Sequence, residues 1–206
     1  MKKFILTLTT IVIAVITTTN FTYANAKKND VTILSKIGAI NKIEVRGNVE
    51  VNISNGTKDE VTVNNNYYAE SALIQDEGGV LRISSYKNEK LIVYVTVNDL
   101  RTITAYDDAV IKSDGIFSAI ELNVNLYNHA YAGLNLDNYA ANITVNDQAK
   151  TDLKGSVTEY NITYSNSSTI NHTELNAANT TETKTHQAQV VAKQKQASAD
   201  DVVTLD

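Results

Sequence analysis

The chain has 206 residues, no cysteine, no proline and a formal net charge of −5. It can therefore build neither a disulfide framework nor a thiolate metal site, and its mild acidity argues against nucleic acid and anionic membrane faces as partners. Without proline there is no Pro-rich linker, and nothing interrupts ladder hydrogen bonding along a strand.

The first 26 residues read as a secretory signal. Lys2 and Lys3 give a positive start, Phe4 to Ile16 is the apolar stretch, and Ala24-Asn25-Ala26 supplies a small-x-small cleavage site. The mature chain is expected to begin at Lys27. The alternative is an uncleaved anchor, but the apolar run is short and rich in threonine. Cleavage leaves 180 residues and, with two lysines lost, a net charge of −7. That is one domain or two small ones. The expectation is an exported protein, whether periplasmic, on the outer surface or secreted, with no stable membrane insertion after cleavage.

Residues 27–38 form an exposed leader. From 39 to 100 the chain is rich in strands but lacks a tight repeat. Ile43-Glu-Val45, Val49-Glu-Val51-Asn-Ile53 and Val61-Thr-Val63 alternate apolar and polar residues, as half-buried strands do. Gly47-Asn48, Asn55-Gly56 and Gly78-Gly79 are turn signals. Tyr67–Ile74 lacks alternation and reads as one or two helical turns. Leu91–Val97 is the most strongly β segment and is expected inside a sheet.

A repeat begins near residue 100. Asp107-Asp108-Ala109, Asn128-His129-Ala130, Asp147-Gln148-Ala149 and Asn166-Ser167-Ser168 share one pattern, with spacings of 21, 19 and 19 residues. Before each stands a short alternating segment: Ile103-Thr-Ala105, Leu122–Leu126, Ile143-Thr-Val145 and Ile162-Thr-Tyr164. Asp and Asn tolerate the left-handed backbone that a corner between strands requires. Ala or Ser two residues later fits a side chain pointing into a crowded corner. A unit of about twenty residues is too short for strand–helix–strand, which needs about 30. It predicts an all-β, right-handed parallel β-helix or β-solenoid, each strand pairing with its counterpart one coil away. Outward Asn123, Asn125, Asn135, Asn142 and Asn146 keep such a surface wet, or form ladders along it. The solenoid domain is expected over 39–176. The polar tail 177–206 is either disordered or a cap, with Val190-Val191 and Val202-Val203 available to pair with an edge.

Ile40–Val51, Val80-Leu-Arg-Ile83 and Val93–Ile103, together with the four turns, resemble the head GIN domain family, across roughly residues 38–176. Its members are secreted proteins of Gram-negative bacteria, labelled autotransporter adhesins. Their turn usually reads Ser-Gly-Ala-Ser. Here Asp107, Asn128, Asp147 and Asn166 occupy the Gly position, and Ala109, Ala130, Ala149 and Ser168 the last Ser position. The resemblance implies an adhesin architecture and carries over no catalytic residues.

Tyr106 and Tyr127 stand 21 residues apart at one position of neighbouring coils, so their rings are expected to stack beside the turns. With Tyr131 as a possible third ring, they are the candidate ligand-binding residues. The adjacent acids Asp107 and Asp108, with Arg101 nearby, match the residue types of a calcium-dependent polysaccharide lyase. Consecutive turn residues point apart, however, and Ca²⁺ takes six to eight oxygens, so they read better as turn formers. His129, His172 and His186 fall at unrelated places, against the converging ligands that zinc needs. The expectation is an adhesion-type binding protein for a surface glycan or an envelope protein, with no catalysis, metal or cofactor. The alternatives are a β-helix polysaccharide lyase or hydrolase, and a self-associating envelope component.

Overall fold

The computed structural model describes residues 31–34, 37–64 and 72–185. The expected signal segment and His186 lie outside these, as does the part of the tail from 186 on. The described residues contain thirteen strands: β1 (Val31–Leu34), β2 (Lys42–Gly47), β3 (Val49–Asn55), β4 (Glu60–Asn64), β5 (Ala72–Glu77), β6 (Val80–Ser85), β7 (Leu91–Val97), β8 (Thr102–Tyr106), β9 (Val110–Ser113), β10 (Phe117–Leu126), β11 (Tyr131–Val145), β12 (Lys150–Ser165) and β13 (Thr169–Thr185). The expected helical turn over 67–74 is corrected at its described end, where Ala72–Ile74 opens β5. Its earlier residues lie outside the described ones. β13 continues through 177–185, residues that the sequence alone assigned to the tail.

The fold class also differs from expectation. All thirteen strands join one mixed sheet that curls into a half-barrel, rather than a right-handed parallel β-helix. The finding that overturns the β-helix is the antiparallel pairing in the N-terminal half: β1 with β4, β4 with β7, and β5 with β6. The repeat sets the register only in the C-terminal half. There Asn123 pairs with Asn142 and Asn142 with Asn161, so β10, β11 and β12 run parallel at a 19-residue offset. β7, the most strongly β segment, lies between β3 and β4.

Alternation builds the core. Ile43, Val45, Val49, Val51, Ile53, Val93 and Val95 in the first half, and Ile103, Leu122, Val124, Leu126, Ile143 and Ile162 in the second, are fully or almost fully buried. Asp107, Asn128 and Asp147 have φ of 59°, 59° and 55°. Asn166, the fourth turn residue, is not among the positive-φ residues. Ala109, Ala130 and Ala149 are wholly buried, whereas Ser168 is half-buried. The turn side chains also connect coils. The Asp107 N–H donates to Asn128 Oδ1 at 3.3 Å, and the Asn128 N–H to Asp147 Oδ2 at 3.0 Å. Asp and Asn thus combine a left-handed backbone with an acceptor for the previous coil, which glycine cannot supply. Outward asparagines form a second ladder. Asn142 Nδ2 donates to Asn123 Oδ1 at 3.0 Å, and Asn161 Nδ2 to Asn142 Oδ1 at 2.9 Å.

Candidate functional site

Tyr106 ends β8, and parallel pairing with β10 sets Tyr127 beside it. The rings stack with centroids 5.0 Å apart and planes 11° from parallel, close to the strand spacing of about 4.8 Å. Arg46, paired with Tyr106 across β2 and β8, lays its guanidinium 3.7 Å from the centre of the Tyr106 ring. Tyr106 therefore sits between a cation and a second ring, an arrangement that stabilises the column itself. Tyr86 donates its hydroxyl to Asp107 Oδ2 at 3.1 Å. Desolvation, with Asp107 next, raises the Tyr86 pKa.

Tyr131 lies elsewhere, on the far side of the turn at the start of β11. Its side chain shares a sheet face with Gly133, two residues on. The ring leans over that glycine: a Cβ added to Gly133 would stand 2.8 Å from the Tyr131 hydroxyl and 3.2 Å from the ring. A side chain at 133 would push the ring from this place. Tyr131 and Gly133 line a shallow groove of about 370 Å³ with Lys112, Asn135, Asp152, Lys154, Asn171 and Glu174 among its walls. Burial, with Asp152 next, raises the Tyr131 pKa. Asp152 accepts a hydrogen bond from Asn171 Nδ2 at 3.1 Å. Lys112 bonds Glu50 Oε1 at 2.9 Å, and this contact holds the Glu50 carboxyl below its usual range. The groove thus offers an aromatic surface ringed by amide, ammonium and carboxylate groups already held in place.

The other candidates do not converge. Arg101 and Asp107 stand at opposite ends of β8, and Arg101 holds Asp99 at 2.6 Å. His129 Nδ1 lies 3.9 Å from Asp108 Oδ1. His172 shares a hydrogen bond of 3.2 Å with the Tyr160 hydroxyl, near Glu182. Among the described residues, no group of three or more His, Cys, Asp or Glu side chains is arranged to hold a metal ion. No helix among them is long and apolar enough to cross a membrane.

Sequence reasoning forecast the stacking of Tyr106 and Tyr127, but Tyr131 is not a third ring of that column, and the groove around it was missed. The signal was available in the period. Lys112, Gly133, Asp152 and Asn171 occupy one coil position, and the strand register sets them side by side. Arg46 carried no such signal, because it belongs to the half without a repeat.

The chain is thus all-β, with a parallel stacked half, polar ladders on its surface and a shallow groove beside an aromatic ring. The chain is a member of the family described as "putative auto-transporter adhesin, head GIN domain", whose model matches residues 39–199. Among solved structures it is similar to a putative adhesin from Parabacteroides distasonis, at 18% identity and a TM-score of 0.56, covering 77% of this chain and 80% of that one. It is also similar to a putative lipid binding protein from the same organism, at 11% identity and a TM-score of 0.54, covering 75% and 78%. At such identities the likeness concerns the fold. The comparison with curated proteins gives no match.

Proposed function

We propose that the chain is an exported, adhesion-type binding protein of the cell envelope that recognises a surface glycan without transforming it. Membership of an adhesin family supports the adhesion-type role and the exported location. The observation that carries the glycan reading is Tyr131, leaning over Gly133 in a groove with Lys112, Asp152 and Asn171 on its walls. An aromatic ring packs against the C–H face of a sugar, while amide, carboxylate and ammonium groups fix its hydroxyls. The Arg46–Tyr106–Tyr127 column is less suited, because Tyr106 is covered by Arg46 and by Tyr127.

The test compares Tyr131→Ala with the double replacement Tyr106→Ala/Tyr127→Ala on glycans retained by an array. Tyr131→Ala should weaken binding about tenfold, roughly 1.4 kcal/mol, and the double replacement should change it less than about threefold, roughly 0.7 kcal/mol. The reverse pattern would move the site to the tyrosine column. No effect from either would move the glycan site to a different face, and an array that retains no glycan would favour an envelope protein as partner.

A further inference from the structure

Away from the groove, one face of the parallel half carries a regular array. Asn123 and Asn125 of β10 stand in register with Asn142 and Thr144 of β11. The next two strands continue both columns, β12 with Asn161 and Thr163 and β13 with Thr181 and Thr183. These positions alternate with the buried Val124, Ile143 and Ile162, so they share the outer face of the sheet. Asn161, Thr181 and Thr183 are exposed, and the other five are half-buried. Every one of the eight is Thr or Asn: compact, uncharged and able both to donate and to accept a hydrogen bond. None is an aromatic ring, the usual platform for a sugar.

The array is also ordered. Side-chain ladders hold a sheet against its natural twist, and here Asn142 donates to Asn123 at 3.0 Å and Asn161 to Asn142 at 2.9 Å. The neighbouring rings of Tyr106 and Tyr127 lie only 11° from parallel. From Glu121 to Leu126 the register runs unbroken across β10, β11 and β12. Threonine has few χ1 states. Among the described residues, the side chains of Asn125, Thr144, Thr163 and Thr183 form no hydrogen bond. Their oxygens therefore form a held column with free bonding capacity.

The spacings point to a partner. The array repeats at about 4.8 Å across the strands and, at every second residue, about 6.7 Å along them. In ice each O–H···O bond is about 2.75 Å long; tetrahedral coordination then sets second-neighbour oxygens about 4.5 Å apart and the repeat along the hexagonal axis at about 7.3 Å. The two rectangles agree to within about a tenth in each direction. Over the three strand intervals the difference grows to about 1 Å, which a hydroxyl turning about its bond absorbs. Neutrality fits as well, because a charged side chain would have to give up its hydration shell against a neutral lattice. We propose that the Thr/Asn face of β10–β13 binds ice, holding water on its array as the first layer of a crystal plane. This is a second binding face, and it does not depend on the glycan reading of the Tyr131 groove.

The experiment grows ice slowly through a solution of the full chain and measures the fraction of protein carried into the crystal, with circular dichroism as the check on folding. The unaltered chain should be enriched in the ice. Thr144→Lys/Thr163→Lys presses two charges against the lattice and should lower the retained fraction at least about tenfold. The control is Ile120→Lys/Tyr139→Lys, two exposed positions outside the array on the same neighbouring strands β10 and β11; retention there should stay within about twofold of the unaltered chain. If the Thr144/Thr163 pair does not fold, Thr144→Tyr is the second probe, because strands accept tyrosine and its ring stands above the plane of the array. Exclusion of the unaltered chain from ice, retention that survives the array substitutions, or an equal loss in the control would each overturn the proposal. So would exclusion from ice together with retention on an insoluble neutral polysaccharide that the array substitutions abolish, which would assign the face to that polymer.

Discussion

Replacing Asn128 separates the two tasks of the turn residues. Its backbone sits at φ 59°, its Oδ1 accepts the Asp107 N–H at 3.3 Å, and its own N–H donates to Asp147 at 3.0 Å. Asn128→Gly removes the side-chain acceptor but suits the left-handed backbone. Asn128→Ala removes the same acceptor and keeps the Cβ, without the polar side chain whose local hydrogen bonding lets Asn tolerate this backbone. The lost bond is long and exposed, so it contributes about 0.5 kcal/mol, and glycine adds an entropic cost of about 0.5 kcal/mol. Alanine instead takes a left-handed penalty of about 1–2 kcal/mol. Asn128→Gly should therefore cost about 1 kcal/mol and Asn128→Ala about 2 kcal/mol, with about 1 kcal/mol equal to roughly 2–4 °C in Tm for a domain of this size. Asn166 is the internal control, because its φ is not positive; Asn166→Ala should stay within about 0.5 kcal/mol of the unaltered chain. Urea unfolding followed by circular dichroism and tyrosine fluorescence gives the comparison and checks two-state behaviour. Equal losses for Gly and Ala at 128, or an Asn166→Ala loss as large as that of Asn128→Ala, would refute the reasoning.

Two further expectations concern the core. Ala130 is wholly buried at its corner, so Ala130→Leu should overpack it and cost about 1–3 kcal/mol in urea unfolding; a change within about 0.5 kcal/mol would show a corner with room to spare. Burial, with Glu182 next, holds the Tyr160 hydroxyl far above its ordinary range. A folded pKa above the unfolded value of about 10 means that its contribution is complete below that pH and is lost as pH rises toward the folded pKa. Tyr160→Phe should therefore reduce the fall in stability above about pH 10, read as the unfolding midpoint as the pH is raised from there; an unchanged slope would show that this hydroxyl does not couple to folding.

The parts of the fold written in the sequence are those with local signals. The turn period forecast the parallel register of Asn123, Asn142 and Asn161 and the stacking of Tyr106 on Tyr127, because like positions of successive coils must meet. It misled about the whole, since β4 pairs antiparallel with β7 across about thirty residues and no local pattern announces the direction of such a pairing. Asn166 followed the turn pattern without adopting its backbone: Ser165 and Ser167 instead hydrogen-bond the Asp147 carbonyl at this last turn, at 2.8 Å and 2.6 Å. At the candidate site Tyr131 was legible as an aromatic residue next to a turn. Its environment depended on Gly133, whose role emerges only when a ring leans over it.

The most direct test of the glycan-binding account is a glycan array probed with the full exported chain, with every retained glycan then examined by mass spectrometry for cleavage. The account predicts retention of intact glycans and a marked loss of retention in Tyr131→Ala. Cleaved products, or no retained glycan at all, would contradict it.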